Sequence, residues 1–342
     1  MMEPVQLPSS VWVIVCLVVS CSTIQEVPIA GDPYQESISG TDPGALLEEG
    51  KQRRAQGDHA WAQRAFELAA TAAAQQQKTG IMVEALAEAA AGRARAGQME
   101  EAEKFLRTAE AKAVPEDVRA WVRVRATRGL LLHFAHNAEG VAWAYGEAFE
   151  TAEASAQIDA ALECAHRLAL WAPEAEREAW AQEGLALAQA YGEQRWAALL
   201  WGDLALIEER RNNTAEALQY HLQARRLRYK LGDDRERLLA DWAVGRAQRL
   251  DGRPQAALEW MTNVLGRAEL RSEALEDRDS VFWEALSNRE LATIEIALGH
   301  EDQAVLYAER AAALFKDLEG STVLSLDPRD WLQSLASMAK IW

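Results

Sequence analysis

One spaced pattern constrains this chain more than anything else in it. A Gly or Asn is followed five residues later by Ala, then by a bulky or apolar residue four further on, and by a small residue three beyond that. The copies are Gly57-Ala62-Phe66-Ala69, Gly97-Ala102-Leu106-Ala109, Asn137-Ala142-Gly146-Phe149, Glu176-Ala181-Leu185-Ala188, Asn212-Ala217-His221-Ala224, Gly252-Ala257-Met261-Val264 and Gly299-Ala304-Ala308-Ala311. Steps of four and three place the last three positions on one helical face. The leading Gly or Asn suits the left-handed residue that ends the preceding helix. The chain is therefore read as repeated helical hairpins, each burying its apolar face only by stacking on its neighbours. Successive turn positions are 40, 40, 39, 36, 40 and 47 residues apart. The last step predicts a longer helix or loop around Arg271–Ser280. The third copy is weak, and the fourth has Glu176 where the turn residue belongs.

Composition agrees with helices throughout. Alanine supplies about a fifth of the 342 residues, and Leu, Glu, Gln and Arg much of the rest, all strong helix formers. The thirteen Trp, among them Trp61, Trp171, Trp180, Trp196, Trp201 and Trp260, are read as filling a core otherwise built of alanine. A formal charge of −17 argues against nucleic acid, which is held by basic residues that displace counterions. It also argues against an anionic lipid surface.

The Gly-x4-Ala-x3-bulky-x2-small pattern resembles the tetratricopeptide repeat (TPR) family over roughly residues 43–316. That resemblance implies an all-α, right-handed superhelical solenoid of about seven TPR-like hairpins. Residues 317–342 are read as a linker and a C-terminal capping helix, with Asp327-Pro328 starting a helix and Trp331, Leu335, Met338 and Trp342 on one face. In the family the first helix of each repeat lines a concave groove. Carrying its inward positions over selects Leu47, Lys51, Arg54, Leu131, Phe134, His166, Leu206, Glu209, Trp242, Arg246, Arg249 and Arg289. The basic members of this set suit a carboxylate or acidic stretch of an extended peptide. Pairing with Glu208, Glu209 and Glu290 on neighbouring helices is the alternative for the same arginines. The set does not match the Lys/Asn clamp of family members that bind acidic C-terminal tails.

The first 42 residues are of a different kind. Residues 11–20, VWVIVCLVVS, are uncharged and apolar, too short for a membrane-spanning helix of about 20 residues but suited to a signal peptide. Val18-Val19-Ser20-Cys21 resembles the lipobox of bacterial lipoproteins, which implies cleavage after residue 20, lipidation of Cys21 and, with Ser22 following, outer-membrane sorting. Residues 21–42 then form the lipidated N-terminus and a Pro- and Gly-containing tether. The first ten residues depart from the pattern in carrying Glu3 and no Lys or Arg. A buried apolar segment is the alternative. Cys16 and Cys21 lie in this leader, so Cys164 has no partner for a disulfide in the folded body.

No phosphate loop, nucleophile elbow or His-Glu-x-x-His is present. His133, His136, Cys164 and His166 have ligand chemistry for zinc. The two helices that carry them set His133 and His166 about 9 Å out of step at 1.5 Å per residue. No metal, no cofactor and no enzymatic activity are therefore expected. The expected function is an envelope-anchored scaffold for protein–protein interactions, in the assembly of an outer-membrane or secretion machine. The alternatives are a periplasmic small-ligand or glycan-binding repeat protein and a cytoplasmic TPR sensor module.

Overall fold

A computed structural model describes residues 41–232, 234–275 and 278–318. Cys21, the proposed tether up to residue 40 and the proposed capping helix lie outside the described residues. Fourteen helices and no strand occur among the described residues. They are α1 (Pro43–Ala55), α2 (His59–Gln75), α3 (Thr79–Arg95), α4 (Met99–Glu110), α5 (Val118–Phe134), α6 (Ala138–Ala154) and α7 (Ile158–Trp171). There follow α8 (Glu174–Tyr191), α9 (Gln194–Arg210), α10 (Thr214–Leu231), α11 (Asp234–Leu250), α12 (Pro254–Leu275), α13 (Arg278–Leu298) and α14 (Glu301–Leu318). The chain divides into two compact units at Asp251–Gly252. One contains α1 to α11 and the other α12 to α14.

Helix ends follow local chemistry. Asp42, Asp58, Asp117 and Asn137 each accept a hydrogen bond from a backbone N–H of the helix they start, and Pro43 supplies a preset first-turn φ. The far ends repeat one device. At the end of α1, Asp58 N donates to Arg53 O at 2.9 Å and Gly57 N to Arg54 O at 3.0 Å, with Gly57 at φ +81. The same pair of bonds closes α3 around Gly97 and α9 around Asn212. It is the double closure that satisfies the last carbonyls of a helix, and it requires a left-handed residue.

Two of the predicted turns are displaced. In the third hairpin the left-handed residue is His136 (φ +55), and Asn137 is the helix cap after it. The buried set of that hairpin is consequently Val141, Tyr145 and Ala148, at 1%, 3% and 0% exposure. In the fourth hairpin Glu176 lies inside α8, and the turn falls at Ala172–Pro173. Proline excludes the helical conformation at the residue before it, so Ala172 is extended (φ −63, ψ 169) and α7 stops without a left-handed residue. The Ala181, Leu185 and Ala188 triad of that copy is nonetheless buried.

Alanine sets the helix spacing. Ala62, Ala69, Ala102, Ala109, Ala148, Ala181 and Ala188 are all essentially buried, with Phe66, Leu106, Phe149 and Leu185 between them. At Gly50 even a methyl group is too much, because an added Cβ would lie 2.5 Å from Phe66 Cε1. Where helices approach this closely there is no room for an indole. Trp171, Trp180, Trp196 and Trp201 accordingly pack, half-buried, on the rim of the core, and Trp61 and Trp260 are half-buried too. Among the described residues the fully buried indoles are Trp242 and Trp283. In the second unit α12 and α13, at 22 and 21 residues, are the longest described helices and flank the long repeat step.

Candidate interaction face

Within the first unit the odd-numbered helices form one wall. α1 packs on α3, α3 on α5, α5 on α7 and α7 on α9, whereas no two even-numbered helices pack together among the described residues. Elements that approach more closely on one side of a stack lie on the inside of its curvature, so the odd helices are the inner wall.

That wall carries charge in a regular way. Glu84 and Glu88 stand one turn apart on α3, Arg119 and Arg123 on α5, and Asp159 and Glu163 on α7. Lys51 and Arg54 face them from α1. Each helix thus presents one sign and its neighbour the opposite. Lys51 Nζ donates to Glu84 at 2.6 Å and to Glu48 at 3.1 Å. Arg119 binds the same two carboxylates at 2.9 and 2.6 Å. Deeper in, Glu88 is bound by Arg54 and, at 3.2 Å, by Arg123. Arg123 also reaches Glu163 at 3.6 Å.

Glu88 is only 1% exposed. Burial works against its charge, but Arg123 and Arg54 outweigh it and hold the carboxyl down at about 2. Glu163 shows the same contest. Burial opposes its ionisation, while Arg123, Arg167 and Arg54 together keep it below the ordinary carboxylate range. The charge-bearing wall continues towards α11. His166 Nδ1 lies 2.6 Å from Asp203, and buried Glu209 accepts from Arg246 at 2.6 Å and meets His221 Nε2 at 3.0 Å. Against the penalty of burial, Arg246 and His221 hold Glu209 at about 2.

A cleft of about 280 Å³ opens over the outer tier of this wall, between Lys51, Glu84, Arg119 and Arg123 and the first turn of α7, Gln157–Ala160. On its far side Asp159 accepts from Trp196 Nε1 at 2.6 Å. The cleft therefore offers a polar floor of both signs, flanked by the side chains of Val122 and Ile158.

The inner wall brings several sequence-selected residues together. Lys51 and Arg54 lie on it with Glu84 and Glu88 as partners, and His166 lies on it against Asp203. Phe134 is half-buried at the end of α5. Arg246 is paired with Glu209, as the alternative reading of the arginines has it. Trp242, at 2% exposure, lies in the interior. Arg249 is half-buried on α11, and Arg289 belongs to the second unit, half-buried on α13. Sequence reasoning passed over the carboxylates that complete the wall, Glu84, Glu88, Glu163 and Asp203, and the cations Arg119, Arg123, Arg95 and Arg167. Their signal was present: pairs of like charge one turn apart, alternating in sign from one first helix to the next. Among the described residues no cluster of three or more His, Cys, Asp or Glu is arranged to hold a metal. No described helix is long and apolar enough to cross a membrane.

Hairpins that share an inner wall and stack through small residues define a class. The fold is the all-α helical repeat of the tetratricopeptide type. No family model and no curated protein matches the sequence. Solved structures do. One is a signal transduction ATPase with numerous domains from Pyrococcus horikoshii, carrying a tetratricopeptide repeat sensor. It is 14% identical, with a TM-score of 0.62 over 82% of this chain and 44% of that one. Another is a Rap protein complexed with competence and sporulation factor, 14% identical, with a TM-score of 0.52 over 80% of this chain and 77% of that one. The chain thus spans less than half the length of the first of these.

Proposed function

We propose that this protein is an interaction scaffold whose first unit receives an extended segment of a partner protein along its inner wall. The observation that carries the proposal is the open cleft over Lys51, Glu84, Arg119 and Arg123. Its polar groups stand at fixed positions on packed helices, so little side-chain freedom remains to be lost on binding. Both signs are present there, which suits a segment of mixed charge better than a uniformly acidic one. The Rap protein, whose structure contains competence and sporulation factor, supports the use of such a fold for capturing a partner molecule. The groove set of Lys51, Arg54, Phe134, His166, Trp242, Arg246, Arg249 and Arg289 narrows in this reading to its first two members with α5 and α7.

The scaffold is further proposed to be tethered to the outer membrane of a bacterial envelope through a lipid on Cys21, where it would assist assembly of a membrane or secretion machine. The lipobox-like Val18-Val19-Ser20-Cys21 supports this reading.

Two experiments test the proposal. A photo-crosslinking residue placed at Asp159 on the cleft should capture a partner, and one at exposed Glu100 on α4 should not. Capture from Glu100 alone would remove the inner wall from the reading. Membrane fractionation and intact mass, compared with Cys21→Ser, test the anchor: an acylated chain starting at Cys21 is expected, and an uncleaved soluble chain would refute it.

A further inference from the structure

The cleft at the first turn of α7 is lined by five charged side chains, Lys51, Glu84, Arg119, Arg123 and Asp159. Four of them are already engaged. Lys51 and Arg119 share Glu48 and Glu84, and Arg123 holds Glu88 at 3.2 Å and reaches Glu163 at 3.6 Å. Asp159 differs from them. It is exposed, its Oδ1 accepts from Trp196 Nε1 at 2.6 Å, and it makes no ion pair among the described residues. The order of the inner helices explains why. Cations on α1 meet carboxylates on α3, those meet cations on α5, and α5 meets a carboxylate on α7. The next inner helix, α9, breaks the alternation, because it sets an indole beside Asp159 instead of a cation. Arg195, the residue before that indole, is exposed and makes no ion pair with Asp159.

Trp196 holds this carboxylate in place. Its N–H occupies Oδ1, which restricts the Asp159 rotamer and leaves Oδ2 without a partner among the described residues. A group fixed in advance loses little freedom on binding. The indole is half-buried, and the nearby His166 directs its Nδ1 to Asp203 rather than to Asp159. Ile158 and Val122 border the same cleft and add aliphatic surface. At about 280 Å³ the cleft is slightly smaller than most small-ligand pockets, about 300–1,000 Å³, and suits one long side chain. The cations across it repel an incoming positive group only weakly. Each has a carboxylate within 3.6 Å, and opposite charges that close cancel much of each other's field.

We infer that the cleft takes an arginine side chain of the partner segment. This rests on the proposed scaffold function, since the segment is the one received along the inner wall. The guanidinium donates to Asp159 Oδ2 and lies beside Trp196, and its aliphatic stem runs along Ile158 and Val122. Arginine fits better than lysine. A planar guanidinium donates as a fork and stacks on an aromatic ring, whereas an ammonium is a compact, strongly hydrated charge. A glutamate in the same place would meet Asp159 as a like charge. The acidic guest expected from Lys51 and Arg54 alone is disfavoured, because Glu84 and Glu88 neutralise both. The net charge of −17 further steers a basic segment towards the chain.

Retention of acetylated hexapeptides by the full chain at low salt tests the site, with one position fixed in turn as Arg, Lys, Gln or Glu and the others mixed. At one position Arg should be retained about fivefold over Gln, the combined effect of an exposed ion pair and a cation–π contact, with Lys between them. Asp159→Asn, which still accepts from Trp196, should abolish that preference, and Asp159→Lys should favour Glu instead. Glu100→Gln on α4 should change nothing. An aspartate in the first turn of α7 also complements the helix dipole, but that role would move stability and leave peptide choice untouched. Retention without charge preference, Glu favoured by the wild type, or a preference for Arg that survives Asp159→Asn would each overturn the arginine site and leave the scaffold standing. Retention of no peptide would overturn it too, and crosslinking then decides whether the scaffold survives. Covalent capture from residue 159 tolerates an encounter about fivefold weaker, so the two measurements report separately.

Discussion

Glu88 is the joint of the inner wall, and replacing it tests the physical account most directly. The Glu88→Gln variant keeps size and shape while removing the charge that Arg54 and Arg123 share. In the folded chain the carboxyl sits at about 2 against an ordinary 4.5. With each tenfold change in proton affinity worth about 1.4 kcal/mol, that gap corresponds to about 3 kcal/mol of stabilisation at pH 7. An independent expectation agrees, because breaking a buried ion pair from one side costs about 3–5 kcal/mol. The folded value lies below the unfolded one, so the contribution is complete above pH 4.5 and is lost as pH falls through 2. At pH 3 less than half of it remains. The assay is urea unfolding followed by far-UV circular dichroism, for both proteins, from pH 7 to pH 3. The wild type should be more stable by about 3 kcal/mol at pH 7, and the difference should shrink by more than half at pH 3. Glu209, held at about 2 by Arg246 and His221 against burial, keeps some acid sensitivity in the variant. A difference below about 0.5 kcal/mol at pH 7, the ordinary range for surface changes, or one that persists undiminished at pH 3, would refute the reasoning.

Three other substitutions probe the packing and turns. Ala156 is exposed and left-handed at φ +55 between α6 and α7, a conformation that costs a side chain about 1–2 kcal/mol; Ala156→Gly should therefore raise the urea midpoint rather than lower it. Leu106, at 0% exposure in the core of α1 to α5, should cost about 2–5 kcal/mol as Leu106→Ala, seen as a lower thermal midpoint. Gly50→Ala would place a methyl 2.5 Å from Phe66 Cε1, and the overpacking should cost about 1–3 kcal/mol by urea unfolding. Adding Phe66→Leu should recover part of that loss.

Much of the fold was legible in the residues alone because a repeat states its rule several times. Gly57, Gly97, Asn212, Gly252 and Gly299 all adopt the left-handed turn that the pattern requires, since glycine and asparagine take that conformation at least cost. The displaced turns show where local chemistry is ambiguous. His136 takes the left-handed position that Asn137 would fill more cheaply, because Val141 and Tyr145 must face the core and their burial sets the phase. At Ala172 a proline ended the helix instead. The indoles fell between the two outcomes: Trp171, Trp180, Trp196 and Trp201 pack half-buried against the core where alanine sets a close helix spacing, while Trp242 and Trp283 are enclosed.

The charged residues of the inner wall were far less visible. Periodicity and turn chemistry are properties of neighbouring residues, so the sequence by itself determined the helices, their hairpin order and the small-residue seams. Which charges cancel is a property of side chains 30 to 40 positions apart. Lys51 meets Glu84, Arg123 meets Glu163 and Arg246 meets Glu209 only after the inner helices are laid side by side. Tyr145 packs its ring across α5 only because Gly129 leaves room for it. Those pairings were decided by tertiary structure, because Coulomb energy depends on separation in space and on burial rather than on order along the chain.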